Sequence, residues 1–149
     1  YNQPKNKFVA EFIGNPPMNF IEARVVELEK SLRLALGTDG QLGILDVVNG
    51  IRPALKQYTG RKVIIGVRPE DIYDKVYYQG DGRGRTIPSR VEVVEPMGAE
   101  KYLYLNASGS PIVARVDADN KAFVSQQIDL VFKMENVKFF DAETNAVIG

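Results

Sequence analysis

Residues 63–67 read Val-Ile-Ile-Gly-Val, a short apolar run without a polar position. A strand with one face in water alternates apolar and polar residues, so this run predicts a strand buried on both faces inside a sheet. Gly66 lacks a side chain, which favours a bulge or the close approach of another backbone at that point. Pro69 has no N–H for a further ladder bond and should end the strand. The flanking charges, Arg68 and Glu70, are expected to be solvated in a turn.

Other segments alternate apolar and polar residues with the period of two that is typical of strands. Residues 21–26 and 32–36 do so on either side of Glu29-Lys30, which predicts a hairpin with one face toward the core. Turn signals such as Thr38-Asp39-Gly40 separate the segments. Many short strands at close spacing indicate a mostly β fold, either a barrel or a sandwich. Further strands are predicted at 91–94, 102–105, 112–116, 122–124, 128–134 and 137–140.

Two segments favour helix instead. In residues 1–14, Pro4 suits a first helical turn, and Gly14 is placed to end the helix. Four apolar residues between them fall on one helical face: Phe8, Val9, Phe12 and Ile13. The following Asn15-Pro16-Pro17 forces extended geometry, so we expect a stiff joint and a domain boundary there. Residues 53–58 are a second candidate, for a short helical segment before a turn.

The composition excludes several classes of site. The 149 residues include 19 basic and 19 acidic side chains, so the chain has no general electrostatic footprint for nucleic acid or an anionic membrane. Histidine is absent, which removes the commonest metal ligand and the side chain best suited to proton transfer near neutral pH. Cysteine is also absent, so no disulfide framework can form. No apolar run reaches the roughly 18 residues that a membrane-spanning helix needs.

A glycine- and arginine-rich segment is a weak candidate for an anion site. Residues 80–85 read Gly-Asp-Gly-Arg-Gly-Arg, and Arg90 follows a few residues later. Glycines beside Arg83 and Arg85 can present free backbone N–H groups to an anion. The nucleotide-binding loop G-x-x-x-x-G-K-[ST] does not occur in the sequence. A mobile surface loop is therefore the alternative interpretation.

Three segments, in order along the chain, resemble one known family. Residues 8–20, 66–71 and 93–100 read FVAEFIGNPPMNF, GVRPED and VVEPMGAE. They resemble segments of the C-terminal regulatory (TOBE/OB-fold) domain in the ATP-binding subunits of sugar-importing ABC transporters, of the maltose and glycerol-phosphate type. Weaker likeness extends to Phe139-Phe140-Asp141, so the resemblance covers essentially the whole chain.

The resemblance implies an OB-fold-like barrel of short antiparallel strands with a short N-terminal helix. Residues 1–14 would be the terminal helix and linker from a missing ATPase domain, and residues 15–149 the TOBE/OB-fold regulatory domain. The start at Tyr1 rather than methionine fits a piece of a longer protein. This piece has no phosphate-binding loop, ABC signature or Walker B acid, so we expect neither enzyme activity nor a cofactor in it.

For the whole parent protein, the resemblance implies an ATPase that binds ATP and Mg²⁺ and drives sugar uptake. Its expected partners are a second copy of itself, transmembrane permease subunits contacted through the ATPase domain, and a regulatory protein. Nucleic acid is not expected as a partner. The protein would lie in the cytoplasm, peripheral on the inner face of the cell membrane.

Positions of regulatory contact in the relatives correspond by motif to Phe20, Gly60 and Gly66. A buried aromatic residue and two backbone-permissive glycines would matter to folding in any barrel, so a purely structural role is the alternative for all three.

Two other functions stay open on the sequence alone. An OB-type domain can bind a small oxyanion or an oligonucleotide, with Arg83, Arg85 and Arg90 as the basic cluster and Tyr102 and Tyr104 as stacking groups. A hydrolase would need paired carboxylates, and the sequence offers no partner base for them. The candidate pairs are Glu70 with Asp71 and Glu95 with Glu100.

Overall fold

The computed structural model of the chain describes residues 17–47, 52–80 and 86–148. In these ranges the chain forms β-strands, one short α-helix (α1, Arg52–Lys56) and single turns of 3-10 helix at Pro69–Asp71, Lys75–Tyr77 and Met134–Asn136. The predicted helix over residues 1–14 and the joint at Asn15-Pro16 lie outside the described residues. The strands are β1 Asn19–Leu28, β2 Ser31–Leu36, β3 Gly43–Asp46, β4 Lys62–Val67, β5 Ile72–Asp74, β6 Thr86–Met97, β7 Glu100–Ala107, β8 Ser110–Asp117, β9 Gln127–Phe132, β10 Lys138–Asp141 and β11 Val147–Ile148.

The first sheet is antiparallel, with the strand order β11-β10-β4-β1-β2-β3. Strands β1 and β2 form the predicted hairpin, in which Val25 faces Leu34. The turn residues Glu29 and Lys30 have positive φ angles of 52° and 66°. Two successive left-handed residues are the conformation of a type I′ turn, whose twist matches that of the strands. The hairpin prediction is therefore confirmed.

The second sheet is also antiparallel, with the order β5-β9-β6-β7-β8. The long strand β6 pairs with β9 through residues 86–90 and with β7 through residues 90–97. The register with β7 shifts between Val91 and Val93, which marks a bulge. A bulge exchanges the faces of a strand, and here Val91 is buried while Val93 is 50% exposed.

One continuous core joins the two sheets. Its fully buried side chains include Val25, Leu34 and Ile65 from the first sheet and Ile87, Leu103 and Leu130 from the second. The mostly β fold predicted from the alternating segments is confirmed, as are the antiparallel strands that the resemblance implies.

A buried asparagine at the start of β1 connects the two sheets by hydrogen bonds. The Asn19 Nδ2 group donates to the Val67 carbonyl at 3.0 Å and to the Val113 carbonyl at 2.9 Å. The Val113 N–H in turn donates to Asn19 Oδ1 at 2.8 Å. Val67 lies in β4 and Val113 in β8, so one side chain satisfies backbone groups of both sheets.

Strand β4 agrees with the prediction, but the charges that follow it do not. The strand ends at Val67, and Pro69 opens a 3-10 turn. Arg68 is only 8% exposed, and Asp71, in the same turn, is 7% exposed. The Asp71 carboxylate accepts a hydrogen bond from the Asn136 side chain at 3.0 Å. The expectation of a solvated charge is wrong for Arg68, because the turn packs against the segment after β9, whereas Glu70 is half-buried.

Two further predictions concern residues 53–58 and 122–124. The helix exists and spans Arg52–Lys56. Residues 122–124 are not a strand. The side chains of Asn120 and Gln126 accept hydrogen bonds from the N–H groups of Ala122 and Phe123, at 2.8 and 3.1 Å. Such local side-chain bonds satisfy backbone donors that a ladder would otherwise use, so the apolar residues here lie in a loop.

Candidate functional site

The structure brings together two of the three predicted regulatory positions. Phe20 in β1 pairs directly with Gly66 in β4. Side chains alternate across a strand, so these two residues lie on the face of the first sheet opposite the main core, together with Phe140 of β10. The rings of Phe20 and Phe140 meet edge to face with their centroids 5.9 Å apart. We call this group, Met18, Phe20, Ile64, Gly66 and Phe140, the Phe20 cluster.

Packing explains why position 66 carries no side chain. A Cβ atom on Gly66 would overlap the Met18 sulfur and lie 3.0 Å from Phe140 Cε2. Met18 is 6% exposed and Phe140 is fully buried. The close approach predicted at this glycine therefore exists, but side chains make it rather than a second backbone or a bulge.

Gly60 lies in a different environment. It follows α1 with a φ of +82°, and a Cβ atom there would meet nothing within 4 Å. Its N–H donates to the Val25 carbonyl at 2.6 Å, and its carbonyl accepts from Arg24 Nη1 at 2.6 Å. Phe20 and Arg24 are four residues apart on β1, about 14 Å at about 3.4 Å per residue. The three predicted positions thus form two separate places on one sheet.

A polar cluster beside Gly60 was not predicted from the sequence. The Tyr58 hydroxyl donates to Asp141 Oδ2 at 2.8 Å, and the Arg61 guanidinium carbon lies 4.7 Å from the centroid of the Tyr58 ring. Asp141 Oδ1 accepts the N–H groups of Glu143 and Thr144 at 2.8 and 3.1 Å. Tyr58 and Asp141 are 83 residues apart, so no local pattern could have indicated their contact.

These contacts shift two pKa values in opposite directions. The backbone N–H groups of Thr144 and Glu143, followed by the Tyr58 hydroxyl, hold the pKa of Asp141 below its ordinary value. The hydrogen bond to Asp141 raises the pKa of Tyr58. Both shifts favour a carboxylate that accepts a hydrogen bond from a neutral phenol.

The arginine candidate is described only in part. Arg83 and Arg85 lie outside the described residues. Arg90 is half-exposed, and its Nη2 atom is 2.8 Å from Glu92 Oε2. A shallow pocket of about 320 Å³ includes Arg90 in its wall. Arg90 thus has a carboxylate partner, and the anion site at Arg83, Arg85 and Arg90 stays a prediction.

The carboxylate pairs of the hydrolase interpretation have other partners. Asp71 is bonded to Asn136, as described above. Glu95 accepts the Tyr104 hydroxyl at 3.0 Å, which also raises the pKa of Tyr104. Glu100 pairs with Arg115 Nε at 3.2 Å. Among the residues that the structure describes, no cluster of three or more acidic side chains could hold a metal ion, and no helix could cross a membrane.

The fold resembles a solved structure of low sequence similarity. The cytoplasmic molybdate-binding protein ModG, solved with molybdate bound, superposes with a TM-score of 0.63 over 81% of this chain and 94% of that one. The two sequences are 18% identical, so the likeness concerns the fold alone.

Sequence relatives give a more specific identification. Residues 14–72 match the family described as MalK OB fold domain, which confirms the predicted OB fold. Across 99% of its length, the chain is 36% identical to the multiple sugar-binding transport ATP-binding protein MsmK of Streptococcus mutans. Across the same share, it is 35% identical to the trehalose/maltose import ATP-binding protein MalK of Thermococcus litoralis. It is 32% identical to the oligosaccharides import ATP-binding protein MsmX of Bacillus subtilis.

The chain spans 38% of the length of MsmK and 39% of the lengths of MalK and MsmX. The matching part is their OB domain, not their ATPase domain. The resemblance drawn from the three motifs is thereby confirmed. The chain carries a MalK OB fold domain and is a relative of the ATP-binding proteins of sugar-importing ABC transporters.

Proposed function

We propose that this chain is the regulatory and dimer-forming domain of the ATP-binding subunit of a sugar-importing ABC transporter. The main support is sequence similarity over 99% of the chain to proteins named for sugar transport and ATP binding. The similar part of those proteins is the part that holds their OB domain. Residues 1–14 would be the helix and linker from the ATPase domain, and residues 15–149 the regulatory domain. The chain would contribute a folded surface, while chemistry would take place elsewhere in the parent.

In the parent protein, ATP and Mg²⁺ would bind to the ATPase domain, where hydrolysis would drive sugar uptake. ATP hydrolysis needs a loop that holds the phosphates and a carboxylate that holds the metal ion. The transmembrane permease subunits would be contacted through that domain, which would place the protein in the cytoplasm, against the inner face of the membrane.

The first experiment measures ATP hydrolysis by this 149-residue chain after purification from any ATPase. We expect no turnover above the rate of a buffer blank. The matched positive sample is the chain joined to the ATPase domain of its parent. Turnover by the 149-residue chain alone, retained through a second purification step, would contradict the assignment.

Self-association would use the exposed end of the β6–β7 hairpin. Beyond Arg90, β6 pairs with β7 but no longer with β9. Val93 and Met97 lie on one face of this segment, and each is 50% exposed. A strand edge without a neighbouring strand, flanked by exposed apolar side chains, is a template for a second chain. Pro96 removes one donor from this strand, so side-chain contact would contribute more than ladder bonds.

The dimer can be tested by sedimentation of the chain over a range of concentrations. We expect weak association of the wild type, and loss of association in Val93→Glu and Met97→Glu. Ile44→Glu is the matched control, because Ile44 is 47% exposed on β3 of the other sheet. A wild-type chain that stays monomeric at the highest concentration, or a control that dissociates equally, would argue against this surface.

The regulatory role of Phe20, Gly60 and Gly66 also remains part of the proposal. Gly60 lies in open space beside Arg24 and Arg61, so a partner protein could contact it directly. Gly66 is buried, so a side chain there would act on a partner only indirectly, by displacing Met18 and Phe140, which pack beside Phe20. Substitution of the exposed Arg61 should weaken pull-down of a candidate regulatory protein, with only a small change in melting temperature from the lost contact with the Tyr58 ring.

A further inference from the structure

The two end strands of the second sheet lie next to each other without pairing. Strands β5 and β8 occupy opposite ends of the hydrogen-bonded order, yet they are in contact in space. The sheet is therefore curled, with an open seam between these two strands. A cleft of about 390 Å³ lies on this seam. Small-molecule sites in proteins have volumes of about 300–1,000 Å³, so the cleft has the size of a site for a small ligand.

Two tyrosines supply an aromatic wall. Tyr73 of β5 and Tyr77 of the following 3-10 turn both line the cleft. The Tyr73 ring is held edge to face by Tyr78, with centroids 5.3 Å apart. The Tyr77 hydroxyl accepts the Lys121 N–H at 2.9 Å, although the residue is 45% exposed. The rings are thus positioned before any ligand arrives.

The polar base of the cleft is buried and ordered by hydrogen bonds. Asp74 is 4% exposed and Asn120 is 2% exposed. Asn120 Nδ2 donates to Asp74 Oδ2 at 3.2 Å, while Asp74 Oδ1 accepts the Val76 N–H at 3.2 Å. The Asn120 carbonyl oxygen of the side chain accepts the Ala122 N–H at 2.8 Å. Neither side chain is free to rotate, so each presents its remaining hydrogen-bonding capacity in a fixed direction.

The rim carries charges of both signs. Asp117 and Asp119 are exposed, and Arg115 lies across the cleft mouth from β5. Glu100 engages Arg115 through Nε at 3.2 Å. The residues that the structure describes provide no partner for the two terminal nitrogens of Arg115, so these donors remain available to a ligand.

Charge and hydrogen-bonding capacity together select the class of ligand. The lining holds three carboxylates, Asp74, Asp117 and Asp119, against one arginine that already has an acidic partner. An oxyanion would be repelled by this arrangement. An organic cation would be attracted by the carboxylates and the tyrosine faces, but it has no acceptor for the hydrogen-bond donors of Arg115 and Asn120. A neutral polyol suits both, because each hydroxyl donates to a carboxylate and accepts from an arginine or amide donor.

We propose that the seam cleft binds a neutral saccharide. The apolar C–H face of a sugar ring would pack on Tyr77 and Tyr73, and its hydroxyl groups would bond to Asp119, Asn120 and Arg115. Binding here would occupy the space between β5 and β8. This site goes beyond the transporter role proposed above and does not depend on it, because the cleft belongs to the chain itself.

Amide chemical shifts of the isotope-labelled 149-residue chain test the proposal. The probes are trehalose, maltose and myo-inositol, with sodium sulfate as an anion and putrescine as a cation. We expect saturable shifts with trehalose or maltose, centred on residues 72–77 and 115–121. The saccharide assignment is overturned if neither saccharide gives saturable shifts, if only myo-inositol, sulfate or putrescine does, or if the shifts map elsewhere.

Two variants distinguish the stacking of the sugar ring on tyrosine from the hydrogen bonds to its hydroxyl groups. Tyr77→Ala removes the exposed ring and should weaken saccharide binding about tenfold or more, which corresponds to about 1.4 kcal/mol. Asp119→Ala removes an exposed acceptor and should weaken it several-fold. Tyr104→Ala is the matched control, a partly exposed tyrosine outside the cleft, and should bind as the wild type does. Equal affinity of Tyr77→Ala, Asp119→Ala and the wild type would overturn the proposal. The ATPase and sedimentation tests above are unaffected by either result.

Discussion

The Asn19 side chain joins the two sheets by hydrogen bonds. It makes three hydrogen bonds, two as a donor to the carbonyls of Val67 and Val113 and one as an acceptor from the Val113 N–H. It is 9% exposed, so water cannot freely replace it. Asn19→Ala would leave these backbone groups without their partner while keeping the strand geometry.

The expected loss of stability follows from the number of groups left unpaired. An unsatisfied buried donor or acceptor costs about 1–3 kcal/mol. With partial relaxation at a site near the edge of the core, we expect the free energy of unfolding to fall by about 3 kcal/mol in total. For a chain of this size, that corresponds to a melting temperature lower by about 6–12 °C.

Urea unfolding followed by circular dichroism measures this loss. The matched control is Asn106→Ala, because Asn106 makes one bond, to the Gly109 N–H at 2.8 Å in an exposed turn. The control should lose less than about 1 kcal/mol. A further variant, Asn19→Asp, keeps the acceptor but exchanges two donors for a buried charge, and should be less stable than Asn19→Ala. Equal losses in Asn19→Ala and Asn106→Ala would refute the argument that Asn19 connects the sheets.

Three more predictions concern the first sheet. Gly66→Asp places a charge beside Met18 and the buried Phe140, so the free energy of unfolding measured by chemical denaturation should fall by about 3 kcal/mol or more. An unchanged unfolding midpoint would show that the Phe20 cluster is misplaced. Gly60→Val should lower the free energy of unfolding by about 1–2 kcal/mol because Gly60 has a positive φ, and Gly60→Asn should lower it clearly less. Equal decreases in the two variants would contradict a left-handed conformation at this turn. The pKa of Asp141 is lower in the folded chain than in the unfolded chain, where it is about 3.9. The Asp141 carboxylate therefore stabilises the fold at a pH above about 3.9, and this stabilisation is lost as the pH falls through the pKa of the folded chain. The pH dependence of stability in this acid range should therefore be weaker in Asp141→Asn, and a profile identical to that of the wild type would remove Asp141 from the account.

Local pattern was sufficient where the physics is local. Alternation of apolar and polar residues gave the hairpin of β1 and β2, because a period of two decides which face is buried. The apolar run before Pro69 gave β4, because proline cannot continue the ladder. The exception, residues 122–124, has strand-like composition, yet hydrogen bonds from Asn120 and Gln126 hold it as a loop.

Composition and motif were sufficient for the class of protein. The lack of histidine argued against classical triads and zinc sites, and three short segments resembled the regulatory domain of a transporter subunit. The match of residues 14–72 to the MalK OB fold domain agrees with that interpretation. Motifs identify a family because its members share them by descent, so they can be recognised without the three-dimensional contacts of each residue.

Only the tertiary structure decided which distant residues meet. Asn19 and Val113 are 94 positions apart, and Tyr58 and Asp141 are 83 apart. The burial of Arg68 and the cleft between β5 and β8 likewise depend on how the sheet curls. The sequence by itself determined the β1–β2 hairpin, strand β4 and the resemblance to the transporter proteins, because these depend on local pattern and motif. The contacts between the sheets and the open seam depend on packing between residues that are far apart in the chain, which only the tertiary structure decides.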